Sequence, residues 1–185
     1  MIVNSINFWI FFLILLIPYL WVFRKNVQGQ NLWLLLGSLF FYGFVDWKMV
    51  LLMLVAIVVF YALGLKIDQL CQEKKEKQAS GWTNLGVCLG VGLLIYFKYL
   101  NFFIEQFADL LQAVGFKGNI GTLNIVMPLG ISFFTFKLMG YVIEVHREHL
   151  RATRDMVKFG VFISFFPTIM SGPIDNPVQF LPQLD

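Results

Sequence analysis

Long apolar runs alternate with short polar stretches along the whole chain. Lipid contains no water that could satisfy open backbone groups, so a run that crosses a membrane forms a helix. Six runs fit this pattern, and they cover residues 8–23, 32–45, 49–65, 85–97, 126–145 and 159–174. Because a span needs about 20 residues, we expect an all-α, polytopic integral membrane protein with about six transmembrane helices.

The fourth run does not stop cleanly, because apolar residues continue beyond Lys98. One helix from Leu85 to Val114 would be about 45 Å long, which exceeds the hydrocarbon thickness of about 30 Å. Within residues 102–115, apolar residues recur at helical spacing, and acidic and amide residues occupy the other side. The pattern indicates either a helix break near Lys98 or an amphipathic helix on the membrane surface, and we expect one such interfacial helix.

Basic residues cluster in three polar stretches, which follow the first, third and fifth runs. Alternate crossings put all three clusters on one side, and an excess of Lys and Arg marks the cytoplasmic side. The N-terminus is then extracytoplasmic, provided that residues 102–115 do not cross by themselves. The clusters are Arg24 and Lys25; Lys66, Lys74, Lys75 and Lys77; and Arg147, Arg151, Arg154 and Lys158.

Two of the polar segments carry further expectations. Residues 66–80, KIDQLCQEKKEKQAS, form the most polar stretch of the chain and predict a solvated loop, with a frayed surface helix within it as the alternative. The segment before the first run contains no Lys or Arg, so that run is expected to be a retained span and not a cleaved signal.

The composition excludes several classes of protein. Hydrophobic residues make up 58% of the chain, charged residues 14%, and the mean hydropathy is +0.74. A soluble domain carries about 25% charged residues, so lipid is the expected environment. A net charge of only +3 argues against a nucleic-acid partner. Cys71 and Cys88 are expected to be free thiols, and His146 and His149 have no further ligands nearby for a zinc site.

A lysine interrupts the fifth run. A Lys at a helix centre costs about 2.5 to 3.5 kcal/mol on insertion scales. Lys137, Tyr141 and Glu144 share one helical face, and Ser132 adds a hydroxyl nearby. Either these groups form a polar seam that lines a substrate or acyl-donor cavity, or Lys137 snorkels to the interface. Lys98 has the same two interpretations.

Two long segments resemble the N-terminal half of the membrane-bound O-acyltransferase (MBOAT) family. They are MPLGISFFTFKLMGYVIEVHRE and FISFFPTIMSGPID, and NSINFWIFFLILL, NLWLLLGSLFFYGFVDWKMVLL and YFKYLNFF precede them in the expected order. The resemblance covers essentially the whole chain, and it is closest to bacterial members that modify cell-surface polymers. The first three spans and YFKYLNFF look like alginate-type polysaccharide O-acetyltransferases. TFK and FFPTIMSGPID also resemble proteins that pass D-alanine toward teichoic acids.

The resemblance implies transfer of an acetyl or other acyl group toward a polysaccharide at the inner membrane. It implies an acyl donor on the cytoplasmic side, such as acetyl-CoA or an acyl carrier protein, and an extracytoplasmic acetyltransferase or polymer-export partner. No bound cofactor or metal is expected. Ser132, Lys137 and Tyr141 are the expected cavity-lining residues. The turn beside that cavity would be shaped by Ser171, Gly172, Pro173 and Asp175.

The resemblance also implies a missing part. The catalytic histidine of the family lies in a later membrane helix, and neither His146 nor His149 matches it. We therefore expect residues 1–185 to be the N-terminal part of a single MBOAT-type domain, truncated before the catalytic half and inactive alone. Two alternatives stay open at this point: a non-catalytic membrane scaffold subunit and one half of a transporter.

Overall fold

All regular secondary structure in the described part of the chain is helical. The structure, a computed structural model, describes residues 6–45, 47–100, 102–104, 106, 110, 130–171 and 175–185, without the side chains of residues 45 and 169–171. Within these ranges no strand occurs, as the all-α prediction requires. The helices are α1 (Ile6–Trp21), α2 (Val27–Val45), α3 (Trp47–Gln72), α4 (Glu76–Leu94), α5 (Ile131–His146), α6 (Met156–Ser164), α7 (Phe166–Ser171) and α8 (Pro177–Phe180), followed by a 3₁₀ turn at Leu181–Leu184.

Two of the described helical stretches are long and apolar enough to cross a membrane. They are α3, with 26 residues, and Glu76–Tyr99, with 24 residues. Shorter apolar helices occupy Ile6–Trp21 and Met156–Thr168. The membrane character of the chain is thus supported, and the count of about six spans stays a prediction.

The predicted loop at residues 66–80 is wrong, because most of it is helical. α3 continues to Gln72 and α4 begins at Glu76. Ile67 and Leu70 are buried and prolong the buried face of α3. On the polar side, Gln72 Nε2 donates to Asp68 Oδ2 over 2.7 Å. The segment is charged on one face only, and the charge count along the sequence concealed its apolar face.

Glycines allow α5 to lie close against α3 and α4. A Cβ atom at Gly64 of α3 would lie 2.4 Å from Cε1 of Tyr141. One at Gly90 of α4 would lie 2.5 Å from Cγ of Met139. Close approach at small residues is a common mode of helix association in membranes, where lipid is as apolar as the helix surface.

The three basic stretches, residues 22–26, 66–77 and 147–158, lie at one end of the bundle, which we call the basic end. Arg151 Nη1 lies 3.4 Å from Asp68 Oδ1, which connects the second and third stretches. At the start of α2, Asn31 Nδ2 donates over 2.8 Å to the carbonyl of Leu184. Asp185, which follows Leu184, pairs with Lys158 of the third stretch. The start of α2, which comes directly after the first stretch, therefore lies close to the third stretch. The geometry therefore has the arrangement that alternate crossings predict.

The fourth apolar run has no helix break between Leu85 and Leu100, so the break predicted near Lys98 is not seen there. α4 passes into a π-helical turn at Ile95–Tyr99, a feature that bends helices. Lys98 is exposed, and its ammonium lies 5.5 Å from the ring centroid of Tyr99. The predicted interfacial helix at 102–115 lies outside the described residues except at 102–104, 106 and 110, which are helical.

Candidate functional site

Lys137 is the one charged residue that the described part of the chain buries completely, with 1% of its side chain exposed. It lies in the middle of α5. Its Nζ atom is 2.8 Å from Asp175 Oδ2, 2.6 Å from Thr168 Oγ1 and 3.2 Å from the carbonyl oxygen of Phe162. The ammonium thus donates hydrogen bonds to Thr168 and Phe162, and the Asp175 carboxylate is its ion-pair partner. The side chain is turned into the protein and not toward the surface that snorkelling would require.

Two of these oxygens, those of Phe162 and Thr168, lie at the break between α6 and α7. At Phe165 the backbone leaves the helical region, with φ −55° and ψ 100°. Pro167 follows in the first turn of α7, and without an N–H it cannot continue the ladder of α6. Lys137 donates to the carbonyl of Phe162, which lies in the last turn of α6, where carbonyls have no partner within the helix. The hydroxyl of Thr168 donates to the carbonyl of Phe165 over 3.1 Å and accepts from the ammonium.

Two aromatic rings complete the surroundings of the ammonium. The ring centroids of Phe162 and Phe180 lie 5.4 Å and 5.6 Å from Nζ. A cation within about 6 Å of a ring face is attracted by the ring quadrupole. Phe180 also packs on Phe165, with 5.5 Å between centroids. The ammonium therefore joins three separate parts of the chain: α5, the α6–α7 break, and residues 175–185, which we call the arm.

The other predicted site residues are placed differently. Ser132 is half-buried on α5. Tyr141 is buried, accepts a hydrogen bond from the backbone N–H of Thr153 over 3.2 Å, and packs its ring 4.6 Å from that of Phe159. Tyr141 is thus held within helix packing, and a cavity-lining role for Ser132, Lys137 and Tyr141 stays a prediction.

The structure describes only part of the turn predicted at Ser171, Gly172, Pro173 and Asp175. Asp175 is the ion-pair partner of Lys137, and 17% of its side chain is exposed. Ser171 ends α7, but its side chain lies outside the described residues, as do Gly172 and Pro173. Sequence reasoning placed Lys137 and Asp175 in one site without pairing them. It missed Thr168. The signal available in the sequence was Pro167, which precedes Thr168 and indicates a helix break there.

Glu144 and the two histidines lie at the basic end. Glu144 contacts His149 Nδ1 at 2.9 Å and Arg147 Nη1 at 3.6 Å. Glu144 therefore forms surface ion pairs near the end of α5. It does not pair with Lys137, as their separation by two turns of α5 predicted. Nearby, a hydrogen bond from Lys75 holds the pKa of the exposed Glu73 carboxyl below its ordinary value.

Cavities also occur elsewhere in the described part of the chain. A polar one of about 490 Å³ at the basic end is lined by Cys71, Glu76, Lys77, Ser80, His146 and Glu148. An apolar groove of about 720 Å³ lies between α1 and α2. Within the described residues, no group of three or more His, Cys, Asp or Glu side chains is arranged to hold a metal ion.

Similarity to known proteins extends over most of the chain. A protein of Pseudomonas putida named probable alginate O-acetylase AlgI is 34% identical over 167 residues, which cover 88% of this chain and 33% of that protein. The peptidoglycan O-acetyltransferase of Helicobacter pylori is 31% identical over 185 residues, which cover 87% of this chain and 34% of that protein. The chain thus spans about a third of the length of these relatives.

A shorter similarity connects the chain to another group. The teichoic acid D-alanyltransferase of Lacticaseibacillus rhamnosus is 40% identical over 62 residues, which cover 34% of this chain and 15% of that protein. No protein-family model matches the chain, and no solved structure matches it significantly.

Proposed function

The chain is a homologue of bacterial proteins of the membrane-bound O-acyltransferase (MBOAT) family, and from this premise we propose that it is part of an enzyme that O-acetylates a cell-surface or exported polysaccharide. The observation that carries the proposal is the breadth of the similarity. The alignment with an alginate O-acetylase covers 88% of the chain, whereas that with a D-alanyltransferase covers 34%. D-alanyl transfer to teichoic acid is the second candidate, favoured by the higher identity of that short alignment.

In this proposal the described residues build one wall of the enzyme and do not perform the chemistry. A histidine in another part of the protein would act as general base toward the attacking hydroxyl. Lys137 and its three oxygen partners would hold the helices that form the wall. Because misplacement of supporting groups by about 1 Å can cost about 10²-fold in rate, such residues matter without touching substrate.

The proposed membrane placement follows the charge pattern. The basic end faces the cytoplasm of the inner membrane, and the start of α1 faces outward. The acyl donor, acetyl-CoA or an acyl carrier protein, approaches the basic end. The partner on the product side is an extracytoplasmic acetyltransferase or a polymer exporter.

A transfer assay with the full-length protein tests the function. The protein is reconstituted into vesicles with radiolabelled acetyl-CoA and, in separate reactions, alginate or peptidoglycan oligosaccharides. Acetyl esters on one of the acceptors support the proposal. D-alanyl esters formed from a charged carrier protein, with no acetyl transfer, would select the second candidate. Transfer of neither group by protein that is folded and membrane-inserted would overturn both and favour a scaffold subunit.

Lys137→Met provides a sharper test in the same assay, with Lys98→Met as its matched control. Both variants remove an ammonium from an apolar run, but only Lys137 is buried and paired. We expect transfer to fall by about 10²-fold in Lys137→Met and to stay near the parent level in Lys98→Met. Equal activity of the two variants would argue against a supporting role for Lys137.

A further inference from the structure

The arm runs back along α6 toward the basic end. Its first residue, Asp175, pairs with Lys137 beside the α6–α7 break. Farther along, Phe180 packs its ring 5.5 Å from that of Phe162. Its last residue, Asp185, pairs with Lys158 near the start of α6. Arm residues rise in number as their partners on α6 fall, so the two segments are antiparallel.

The depth of Lys137 fixes where the arm begins. About nine residues of α5 separate Lys137 from the basic end, a rise of about 14 Å. This is about half of a hydrocarbon core of about 30 Å. Asp175 therefore lies near mid-depth, and Asp185 lies again at the end from which α6 started.

A backbone of this kind is stable in a membrane only where protein covers it. The arm meets this condition on one side only, because four residues before Asp185 are exposed: Asn176, Gln179, Pro182 and Gln183. Leu181 and Leu184 are buried, and the carbonyl of Leu184 accepts from Asn31 of α2. The contact at Asp185 lies at the basic end, where water can replace it. The deep end is held by the Lys137 pair, because an unpaired charge at that depth would be costly.

We propose that the Lys137–Asp175 ion pair is a buried lock that keeps residues 175–185 folded back along α6, so that the last apolar run enters and leaves the membrane at the basic end. The run is then re-entrant and does not form a sixth crossing. The inference rests on the membrane placement proposed above and not on acyl transfer. Its tests need no acyl donor, so failure of the transfer assay would leave it standing.

Sidedness of labelling tests the re-entrant path in the full-length protein. In a background that carries Cys71→Ser and Cys88→Ser and has serine at any other cysteine of the full-length protein, an exposed reporter is introduced as Gln183→Cys. Lys74→Cys marks the basic end, and Trp47→Cys marks the opposite end; both positions are exposed. A membrane-impermeant maleimide is applied to spheroplasts before and after lysis.

We expect Gln183→Cys to label on the same side as Lys74→Cys and opposite to Trp47→Cys. Labelling of Gln183→Cys together with Trp47→Cys would overturn the re-entrant path. If Lys74→Cys and Gln183→Cys both label before lysis, the proposed orientation fails, but the shared side still supports the fold-back.

A buried reporter, Leu184→Cys, tests the lock itself. Its labelling rate is measured in permeabilised membranes for Lys137→Met, Asp175→Asn and the double variant, with Lys98→Met as control. Each single variant leaves a partner uncompensated, so we expect the rate to rise about tenfold or more as the arm opens more often. The double variant leaves no buried charge and is expected to show a smaller rise. The control is expected to match the parent.

Equal rates in Lys137→Met and Lys98→Met would overturn the lock. If Lys137→Met does not accumulate in membranes, Asp175→Asn and the double variant decide the matter. Faster labelling in Asp175→Asn that the double variant reduces supports the pair. Parent-like protection in Asp175→Asn overturns it.

Discussion

At the scale of single residues, close helix packing depends on positions that lack a side chain. We predict that Gly64→Ala lowers the thermal unfolding temperature in detergent. The new methyl group would meet the ring of Tyr141, whose hydroxyl is held by the backbone of Thr153. Such overpacking typically costs about 1–3 kcal/mol, because a pinned aromatic ring cannot move aside.

Gly92→Ala is the matched control at the same scale. Gly92 lies in α4, and a Cβ atom there would meet nothing within 4 Å. Alanine in a helix is favoured over glycine by about 0.5–1 kcal/mol, so this variant is expected to unfold at the parent temperature or higher. An unfolding temperature for Gly64→Ala that equals that of Gly92→Ala would contradict the close α3–α5 approach.

At the scale of elements, one side chain connects α2 to the arm. Asn31→Leu removes the donor to the Leu184 carbonyl, and an unmade hydrogen bond of a buried group costs about 1–3 kcal/mol. We predict faster amide exchange in Leu181–Leu184, measured by hydrogen–deuterium exchange mass spectrometry. Gln28→Leu, an exposed position on the same helix, is expected to keep the parent exchange rates. If both variants exchange faster, the cause is a general disturbance of α2 and not the loss of the Asn31 hydrogen bond.

Helices could be predicted from the apolar runs, but their ends could not. α2 begins at Val27, before the run, because the side chain of Asn26 accepts a hydrogen bond from Gly29 N–H and caps the first turn. Hydropathy alone does not register such a cap. The α6–α7 break was foreseeable from Pro167, since proline removes a donor wherever it stands.

The candidate site shows a similar division. The burial cost of an ammonium left two placements open for Lys137, a polar cavity or the membrane interface. The structure places the side chain against protein, and the cavity stays a prediction. Its partners come from Phe162, Thr168 and Asp175, which are brought together by the helix break and by the direction of the arm. Tertiary contacts between distant residues leave no periodic signal in a single sequence, so the pair itself was out of reach.

At the scale of the whole molecule, the basic end was foreseeable because charge and alternate crossings are properties of the entire chain. The fold-back of the arm was not, because a re-entrant segment is as apolar as a crossing one. Tertiary contacts separate these possibilities, among them those of the two ends of the arm with Lys137 and Lys158.

The five tryptophans of the chain allow a test of how the whole bundle sits in a membrane. Trp21, 82% exposed, ends α1 at the basic end, and Trp47, 67% exposed, begins α3 at the opposite end. Tryptophan favours the headgroup level, so both should lie near interfaces, in opposite leaflets. In variants of the full-length protein that keep one of these tryptophans and carry phenylalanine at every other tryptophan position, lipids brominated near the headgroup should quench Trp21 or Trp47 more than lipids brominated at the chain end.

The variant that keeps Trp33 is the control for this measurement. Trp33 is half-buried, and its indole N–H donates to the carbonyl of Leu15 over 2.9 Å, so contact with lipid is reduced. Its fluorescence should respond weakly to both brominated lipids. Strong quenching of Trp21 and Trp47 by aqueous iodide, with no effect of either lipid, would mean that the ends of these helices lie in water. The basic end would then be a solvated surface and not a membrane boundary.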